Sequence, residues 1–211
     1  MKECADMFFQ RSGINVEVIS DPGEEWITQA RQDADIIYEE TESMLMQFMA
    51  KYPCLVDEST RTSLYQRPAG ILVRKGNPKG IRTIADLTVN GVYLLDVNGS
   101  GQLGLWEDLA GLKGLIPGMR QNIAVSVSTS AEAVEMWKNR PELDAWITFE
   151  SWHHLLKDSS DFVRLPKDEK ICRGTALVAT HFYKNKEAAR KFIQFLTTPE
   201  SHAVFQKWGW E

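Results

Sequence analysis

Apolar residues recur along the chain in two alternating patterns, short β-type runs and longer runs with helical spacing. Short runs rich in Val, Ile, Leu and aromatic residues predict strands at 16–19, 34–38, 64–74, 92–97, 123–127, 143–149, 162–165 and 175–180. Helical spacing and capping residues predict helices over 1–10, 22–31, 44–49, 105–111, from Thr129 to Pro141, after Asn185 and after Thr198, with loops at 53–62 and 112–119. This alternation predicts an α/β fold in which helices flank a mixed, mostly parallel sheet.

The stretch from Val92 to Gly111 carries the strongest local signal. An apolar β-type run enters a glycine-rich turn at 98–104, and the turn opens directly into an amphipathic helix. Glycines let the backbone approach a ligand closely, and the first amides of a helix have no intrahelical acceptors. Such a corner can therefore bind an anion.

The spacing Gly99-x-Gly101-x-x-Gly104 also matches the dinucleotide-binding fingerprint. That fingerprint needs an acidic residue about 20 positions further on, at the end of the next strand, to bind the ribose hydroxyls. Here the next strand ends in the hydroxyl residues of 126–130 and carries no acid. We therefore expect no nucleotide cofactor, and a tight turn without any ligand is the remaining alternative to an anion site.

A second corner follows the strand at 123–127, where Ser128, Thr129 and Ser130 precede a helix. Thr129 and Glu132 have the spacing of a capping box, so these hydroxyls can be helix caps only. The carboxyl ends of neighbouring parallel strands, however, meet at the same edge of a sheet, which is where ligands bind in such folds. Two donor-rich corners at one edge favour a ligand site.

Composition excludes several classes of function. The chain has 24 basic and 29 acidic residues, a net charge of −5, and no basic block, which argues against nucleic-acid binding. The three cysteines form no CxxC pair, so we expect buried free thiols, with one bridge and one thiol as the alternative. His153 and His154 are adjacent and lack metal-ligand spacing, so no metal site is expected. No apolar run is long enough to span a membrane.

No catalytic motif is present, so we expect a protein that is not an enzyme. The alternative is a small-molecule enzyme in which Glu39, Glu42 or Asp96 serves as general base. In that case the glycine-rich corner would hold a phosphate or carboxylate of the substrate.

Several blocks of the sequence resemble a known family. They are Asp35-Ile-Ile-Tyr38, Tyr65-x-Arg-Pro68, Ile71-Leu-Val-Arg-Lys-Gly-Asn-Pro78, Asn98-Gly-Ser-Gly-Gln-x-Gly-Leu-Trp-Glu-Asp108, Asp144-Ala-Trp-Ile147 and Phe205-x-Lys-Trp-Gly-Trp210. The chain resembles the accessory colonisation factor AcfC group, among the bacterial periplasmic solute-binding proteins of the molybdate and sulfate type. The resemblance implies the two-lobed class II periplasmic-binding-protein fold. Residues 1–71 plus 175–211 would form one lobe and residues 72–174 the other, with strands through Gly70 and Thr175 crossing between them.

The resemblance also implies the ligand and the setting. A small oxyanion or anionic metabolite, sulfate-like, would bind in the cleft between the lobes of a periplasmic monomer without a cofactor. Closure of the lobes would be read by an ABC permease or a chemoreceptor. The expected ligand contacts are Tyr38, Arg67, Asn98, Gly99, Ser100, Gly101, Gln102, Ser128, Thr129, Ser130, Trp146 and Arg173.

The beginning of the chain departs from that family. Such proteins start with an export signal, a first strand and a Gly/Ser-rich loop that donates to the ligand, whereas residues 1–10 have the pattern of an amphipathic helix. We therefore expect the first strand to be absent and some ligand contacts of one lobe with it. A stable fragment without a ligand is a further alternative. The carboxylates of Glu39, Glu40 and Glu42 would also repel a dianion unless they point to solvent or the ligand carries a cationic group.

Overall fold

The structure is a computed structural model that describes residues 1–20, 26–181 and 183–211. The helices are Lys2–Ser12 (α1), Ile27–Asp33 (α2), Glu42–Lys51 (α3), Leu105–Gly111 (α4), Ile116–Asn122 (α5), Ser130–Asn139 (α6), Glu150–Leu155 (α7), Lys186–Leu196 (α8) and Pro199–Lys207 (α9), with short 3-10 helices at Ala85–Thr88 and Lys167–Glu169. The strands are Ile36–Glu39 (β1), Val56–Arg74 (β2), Leu94–Val97 (β3), Ile123–Val127 (β4), Ala145–Phe149 (β5), Ser160–Arg164 (β6) and Cys172–Thr180 (β7). The predicted helix start at Pro22 lies outside the described residues.

The described chain divides into two compact units. Unit 1 consists of Met1–Gln66 and Gly174–Glu211, and unit 2 consists of Arg67–Arg173. The chain therefore leaves unit 1 within β2 and returns within β7. The division into ligand-binding lobes at residues 71 and 175 stays a prediction.

Unit 1 packs helices against an antiparallel pair of strands. β1 pairs with β7, with Ile37 opposite Val178. Phe8 of α1 contacts Phe192 and Phe195 of α8, at ring-centroid distances of 5.2 and 5.4 Å. Aromatic residues at helical spacing thus form one core of this unit.

Unit 2 is built on a mixed sheet. The second half of β2 pairs with β5 and with β6, antiparallel to both, while β3 pairs with β4 and β5, parallel to both. Successive residues of a strand face opposite sides of the sheet. Ile71 and Leu72 accordingly belong to two different buried clusters, one on each face. Both faces are covered, and the predicted mixed α/β fold with flanking helices is confirmed. The expectation that pairing is mostly parallel was wrong, because β1 with β7 and β2 with both β5 and β6 pair antiparallel.

Three predicted segments were wrong. No strand forms at 16–19, because Val16 and Val18 pack against the core of α1 and α8 without a neighbouring strand to pair with. The predicted loop at 53–62 is largely strand, since β2 begins at Val56. The predicted loop at 112–119 contains the start of α5, where Pro117 lies in the first turn and is compatible with a helix.

The cysteines are free in the described chain. Cys4 is buried and Cys172 is half-buried, but Cys54 is exposed, so the expectation of three buried thiols was wrong for Cys54. Cys54 lies in the turn between α3 and β2, where its side chain is exposed. Burial raises the pKa of the Cys4 thiol.

Candidate anion site at the ends of two parallel strands

The two predicted corners of unit 2 lie side by side. β3 and β4 run parallel with Val97 opposite Val127, so both strands deliver their carboxyl ends to the same edge. The amide of Asn98 donates to the carbonyl oxygen of Val127 at 2.8 Å, directly where the strands end. A Cβ atom on Gly99 would overlap the carbonyl oxygen of Ser128, so only glycine allows the corners to come this close.

The first corner is a tight turn with left-handed backbone. Ser100 has φ 46° and Gly101 has φ 75°, and the amide of Gln102 donates to the carbonyl oxygen of Gly99 at 2.8 Å. Gly104, with φ 70°, then begins α4. Within the described chain, the amides of Gly99, Ser100 and Gly101 donate to no protein acceptor. These donors are available to a ligand.

The second corner is the start of α6, and part of it is already occupied. The carboxylate of Glu132 accepts hydrogen bonds from the amides of Ser128 at 2.9 Å and Thr129 at 3.0 Å. The amide of Glu132 donates in return to the Thr129 hydroxyl, which completes the predicted capping box. The donated hydrogen bonds lower the pKa of Glu132. A ligand therefore competes with this carboxylate for the amides of Ser128 and Thr129.

The first helical residues of α6 remain open. Ser130 and Ala131 are the first two residues of the helix, so their amides have no intrahelical acceptor. No hydrogen bond from either amide to the protein exists within the described residues. Together with the three amides of the first corner, they make a cluster of unclaimed donors at one edge of the sheet.

A buried hydrogen-bonded network joins the two corners. The side-chain amide of Gln102 donates to the hydroxyl of Ser130 at 2.9 Å. The indole nitrogen of Trp146 donates to the carbonyl oxygen of Gln102 at 3.1 Å. Trp146 is 0% exposed and Gln102 2%, so both side chains lie in the core of unit 2, and contact of Trp146 with a ligand stays a prediction.

The two predicted arginines are engaged within unit 2. Arg173 donates to the carboxylate of Asp108, on α4, at 2.5 Å, and its contact with a ligand stays a prediction. Arg67 is 1% exposed, and its guanidinium carbon lies 3.8 Å from the ring centroid of Phe149. Contact of Arg67 with a ligand stays a prediction.

The remaining expected contacts have different surroundings. Tyr38 belongs to unit 1, where it is half-buried in β1 and packs against the core of α1 and α8. Its contact with a ligand also stays a prediction. Asn98 and Ser128 are exposed at the two strand ends of unit 2, and no hydrogen bond of their side chains to other described residues is present.

The carboxylates of the alternative enzyme hypothesis are mostly paired. Glu42 accepts hydrogen bonds from Arg61 and from the Ser63 hydroxyl, and its pKa is lowered. Asp96 accepts a hydrogen bond from Ser126 at 2.6 Å, although burial raises its pKa. Glu39 differs, because burial and the neighbouring charge of Glu40 raise its pKa to about 7.

Sequence reasoning missed one buried hydroxyl in unit 2. Thr148 is 0% exposed, and its hydroxyl oxygen has no hydrogen-bond partner among the residues described. It lies two positions after Trp146 on β5, hence on the same face of the sheet. A threonine within an apolar strand is the only sequence signal for it, and this signal does not distinguish a core residue from a site residue.

The described residues contain neither a membrane-spanning helix nor a cluster of metal ligands. Among residues 1–20, 26–181 and 183–211, no helix has the length and apolar character needed to cross a bilayer. Over the same ranges, no group of three or more His, Cys, Asp and Glu side chains could bind a metal ion.

The sequence of the chain matches a known protein family. The family model described as bacterial extracellular solute-binding protein matches residues 1–211. A sulfate-binding protein of Synechococcus elongatus is 27% identical over 160 residues, which are 66% of this chain and 45% of that protein. The chain therefore spans less than half the length of this curated relative.

Solved structures show the same fold. Peb3 from Campylobacter jejuni is 28% identical, with a TM-score of 0.88 over 100% of this chain and 93% of that chain. A crystal structure of PEB3 bound to L-phospholactate gives a TM-score of 0.89 with the same identity and coverage. The periplasmic molybdate-binding protein of Azotobacter vinelandii is 14% identical, with a TM-score of 0.74 over 100% of this chain and 93% of that chain, and shares the fold alone. This chain belongs to the bacterial extracellular solute-binding protein family.

Proposed function

We propose that this protein captures a small oxyanion or anionic metabolite at the two corners of unit 2 and releases it unchanged. The observation that carries the proposal is the cluster of unclaimed amides at Gly99, Ser100, Gly101, Ser130 and Ala131. Backbone amides at a helix start and a glycine turn are well suited to bind negative charge. The family consists of solute-binding proteins rather than enzymes, which agrees with binding without chemistry.

The named ligands of two relatives support an oxyanion. One relative is a sulfate-binding protein, and PEB3 has been crystallised with L-phospholactate, a small acid that carries a phosphate group. Both ligands present oxygen acceptors, which unclaimed amides would satisfy. We infer that the ligand of this chain is a sulfate-like dianion or a small phosphorylated acid.

The biological setting is part of the same proposal. A member of the accessory colonisation factor AcfC group would work outside the cytoplasm as a monomer, without a cofactor. It would pass its ligand to an ABC permease or present the bound state to a chemoreceptor. The sulfate-like and AcfC-like assignments are supported by the relatives and by the block Asn98 to Asp108.

A ligand screen by thermal unfolding tests the proposal. Sulfate, molybdate, phosphate, L-phospholactate, citrate and NAD would be compared with lactate, which lacks the phosphate group. A ligand present at 100 times its Kd stabilises the native state by about 2.7 kcal/mol. For a chain of this size, that raises Tm by roughly 5–10 °C. No shift with any of these anions would contradict the proposal, and a shift with NAD alone would favour the enzyme alternative.

A negative charge introduced at the start of α6 tests whether the ligand binds there. Ala131 is exposed in the first turn of α6, so Ala131→Asp leaves the core intact, and an acid there suits the helix dipole. The new carboxylate repels a bound anion, and we expect Kd to rise about 10-fold to 100-fold by calorimetry. Gln47→Glu adds the same charge at an exposed position of α3 in unit 1 and serves as the control. Equal affinity of the two variants would place the ligand elsewhere.

A further inference from the structure

The buried network between the corners has a fixed direction. An indole N–H can only donate a hydrogen bond, so the Gln102 atom that faces Trp146 at 3.1 Å must be the carbonyl oxygen. The amide nitrogen of Gln102 therefore faces Ser130, and it donates to the hydroxyl oxygen at 2.9 Å. This assignment follows from the chemistry of tryptophan and does not depend on distinguishing the oxygen from the nitrogen of the amide.

The direction of the network determines the role of the Ser130 hydroxyl. Its oxygen accepts a hydrogen bond from Gln102, and its proton can donate to a ligand because no acceptor for it is present among the described residues. No second hydrogen bond of this hydroxyl to the protein occurs within the described chain. Ser130 is only 7% exposed, and an unmet donor at such a position costs stability unless a ligand or water accepts from it.

The hydroxyl of Ser130 belongs to the same corner as the unclaimed amides. Ser130 is the first residue of α6, and Gln102 closes the glycine turn of the first corner. We propose that Trp146 and Gln102 are positioning residues that make the Ser130 hydroxyl a hydrogen-bond donor to the bound anion. A hydroxyl whose proton points to the ligand favours an unprotonated ligand oxygen, because its O–H then has an acceptor. This inference rests on the proposed anion site.

A structural tether between the corners is the competing explanation. Two hydrogen bonds across the corners would stabilise the fold whatever the ligand. Gln102→Met is the uncharged control, because methionine has a similar volume and makes neither hydrogen bond. Gln102→Glu is the informative change, because an ionised carboxylate accepts hydrogen bonds from both neighbours. The Ser130 proton would then turn towards Glu at position 102, and a lone pair of Ser130 would face the ligand.

The experiment measures sulfate affinity by calorimetry between about pH 5 and pH 8, the range in which a buried glutamate titrates while sulfate stays a dianion. We expect the wild-type protein and Gln102→Met to show affinities that do not change with pH in this range. For Gln102→Glu, affinity should fall at least about 10-fold as pH rises, because the protonated carboxyl can replace the amide and the carboxylate cannot.

A double-mutant cycle removes the contribution of plain charge repulsion. Ser130→Ala alone should weaken sulfate binding about 10-fold, since it removes one donor to a charged ligand. In the Ser130→Ala background, Gln102→Glu should lose at least about two-thirds of its effect at the higher pH, because no hydroxyl remains to be reversed. If the affinity losses of Ser130→Ala and Gln102→Glu simply multiply in the double variant, the proposed positioning role is wrong. Charge repulsion would then be the cause of the Gln102→Glu effect.

A second ligand and a second variant complete the test. The phosphate group of L-phospholactate loses its second proton near pH 6, so wild-type affinity for it should rise about 10-fold above that pH. Trp146→Phe removes the donor that orients Gln102, and this rise should shrink to about threefold or less. An unchanged rise in Trp146→Phe would contradict the positioning role, even if thermal unfolding shows a stable fold. If the wild-type protein binds none of the screened anions, the proposed function itself fails, which is a different result from binding that Gln102 does not influence.

Discussion

The pKa of Glu39 shows how the surroundings of a single residue change its charge. It ends β1 in unit 1, and its carboxyl is half-buried beside Glu40. Removal of the carboxylate from water is the larger cause of its raised pKa, and the charge of Glu40 is the smaller one. A carboxyl with a pKa of about 7 is partly neutral at physiological pH. Its average negative charge at that pH is therefore smaller than that of an exposed glutamate.

This pKa predicts a stability change with pH. A carboxyl whose pKa is raised from 4.5 to about 7 on folding favours the native state below pH 4.5, and this contribution is lost as pH rises through 7. Glu39→Gln keeps a neutral side chain at every pH. At pH 8 its free energy of unfolding should exceed that of the wild-type protein by about 1–3 kcal/mol, and at pH 4 the two proteins should be equally stable.

Urea unfolding from pH 4 to pH 8 measures the difference between the two proteins. Glu40→Gln is the matched control, because it removes the smaller cause and should recover only part of the gain. Equal stability of wild type and Glu39→Gln across this range would show that Glu39 titrates like an exposed glutamate.

At the scale of the element, the glycine turn and the start of α6 act as one unit of structure. Gly99 has the carbonyl oxygen of Ser128 where a Cβ would lie, so these two backbones pack directly against each other. Glu132 closes the second corner from the helix side by capping the amides of Ser128 and Thr129. The geometry of the candidate site thus depends on backbone contact between two elements.

A pair of glycine variants tests this dependence. Gly99→Ala forces the turn away from Ser128, and we expect it to lower the free energy of unfolding by about 2 kcal/mol and to weaken anion binding. Gly111→Ala, in α4, meets only the Ile116 side chain at 3.7 Å, which is an ordinary contact. There alanine should stabilise the protein by about 0.5–1 kcal/mol. Chemical denaturation measures the free energy of unfolding of both variants. If Gly99→Ala is as stable as the wild-type protein, the two corners do not need this close backbone contact.

At the scale of the whole molecule, the buried clusters follow the division of the chain. The two clusters of unit 2 contain only residues between 67 and 173, and the two clusters of unit 1 contain only residues of its two segments. Unit 2 is one continuous segment, whereas the cores of unit 1 need both the beginning and the end of the described chain. Burial of apolar surface within a unit is the main source of its stability.

This arrangement predicts different behaviour of two fragments. A fragment of residues 67–173 retains both of its clusters and should show native-like circular dichroism with a cooperative thermal transition. A fragment of residues 1–66 lacks Leu177, Phe192 and Phe195, so it should remain unfolded until residues 174–211 are added. Cooperative unfolding of the 1–66 fragment alone would contradict this assignment of cores.

Local patterns predicted much of the fold. The strand at 123–127 was predicted with both of its bounds, and the capping box of Thr129 and Glu132 is present. The parallel pairing of β3 with β4 and the positions of the two corners were also open to prediction, because both follow from the order of strands and helices. The start of β2 at Val56 was not, since polar residues in a strand give no periodic signal until their neighbours are known.

The sequence by itself determined most of the strands and helices and where the two donor-rich corners fall, because hydrophobic periodicity and capping act over a few residues. Only the tertiary structure decided which hydrogen-bond partners the side chains at these corners have. Gln102 meets Ser130 across 28 residues and Trp146 across 44, and Arg173 reaches Asp108 across 65. These hydrogen-bond partners come together only when the sheet has formed and packed, so a sequence cannot distinguish a side chain facing a ligand from one that holds its neighbour in place.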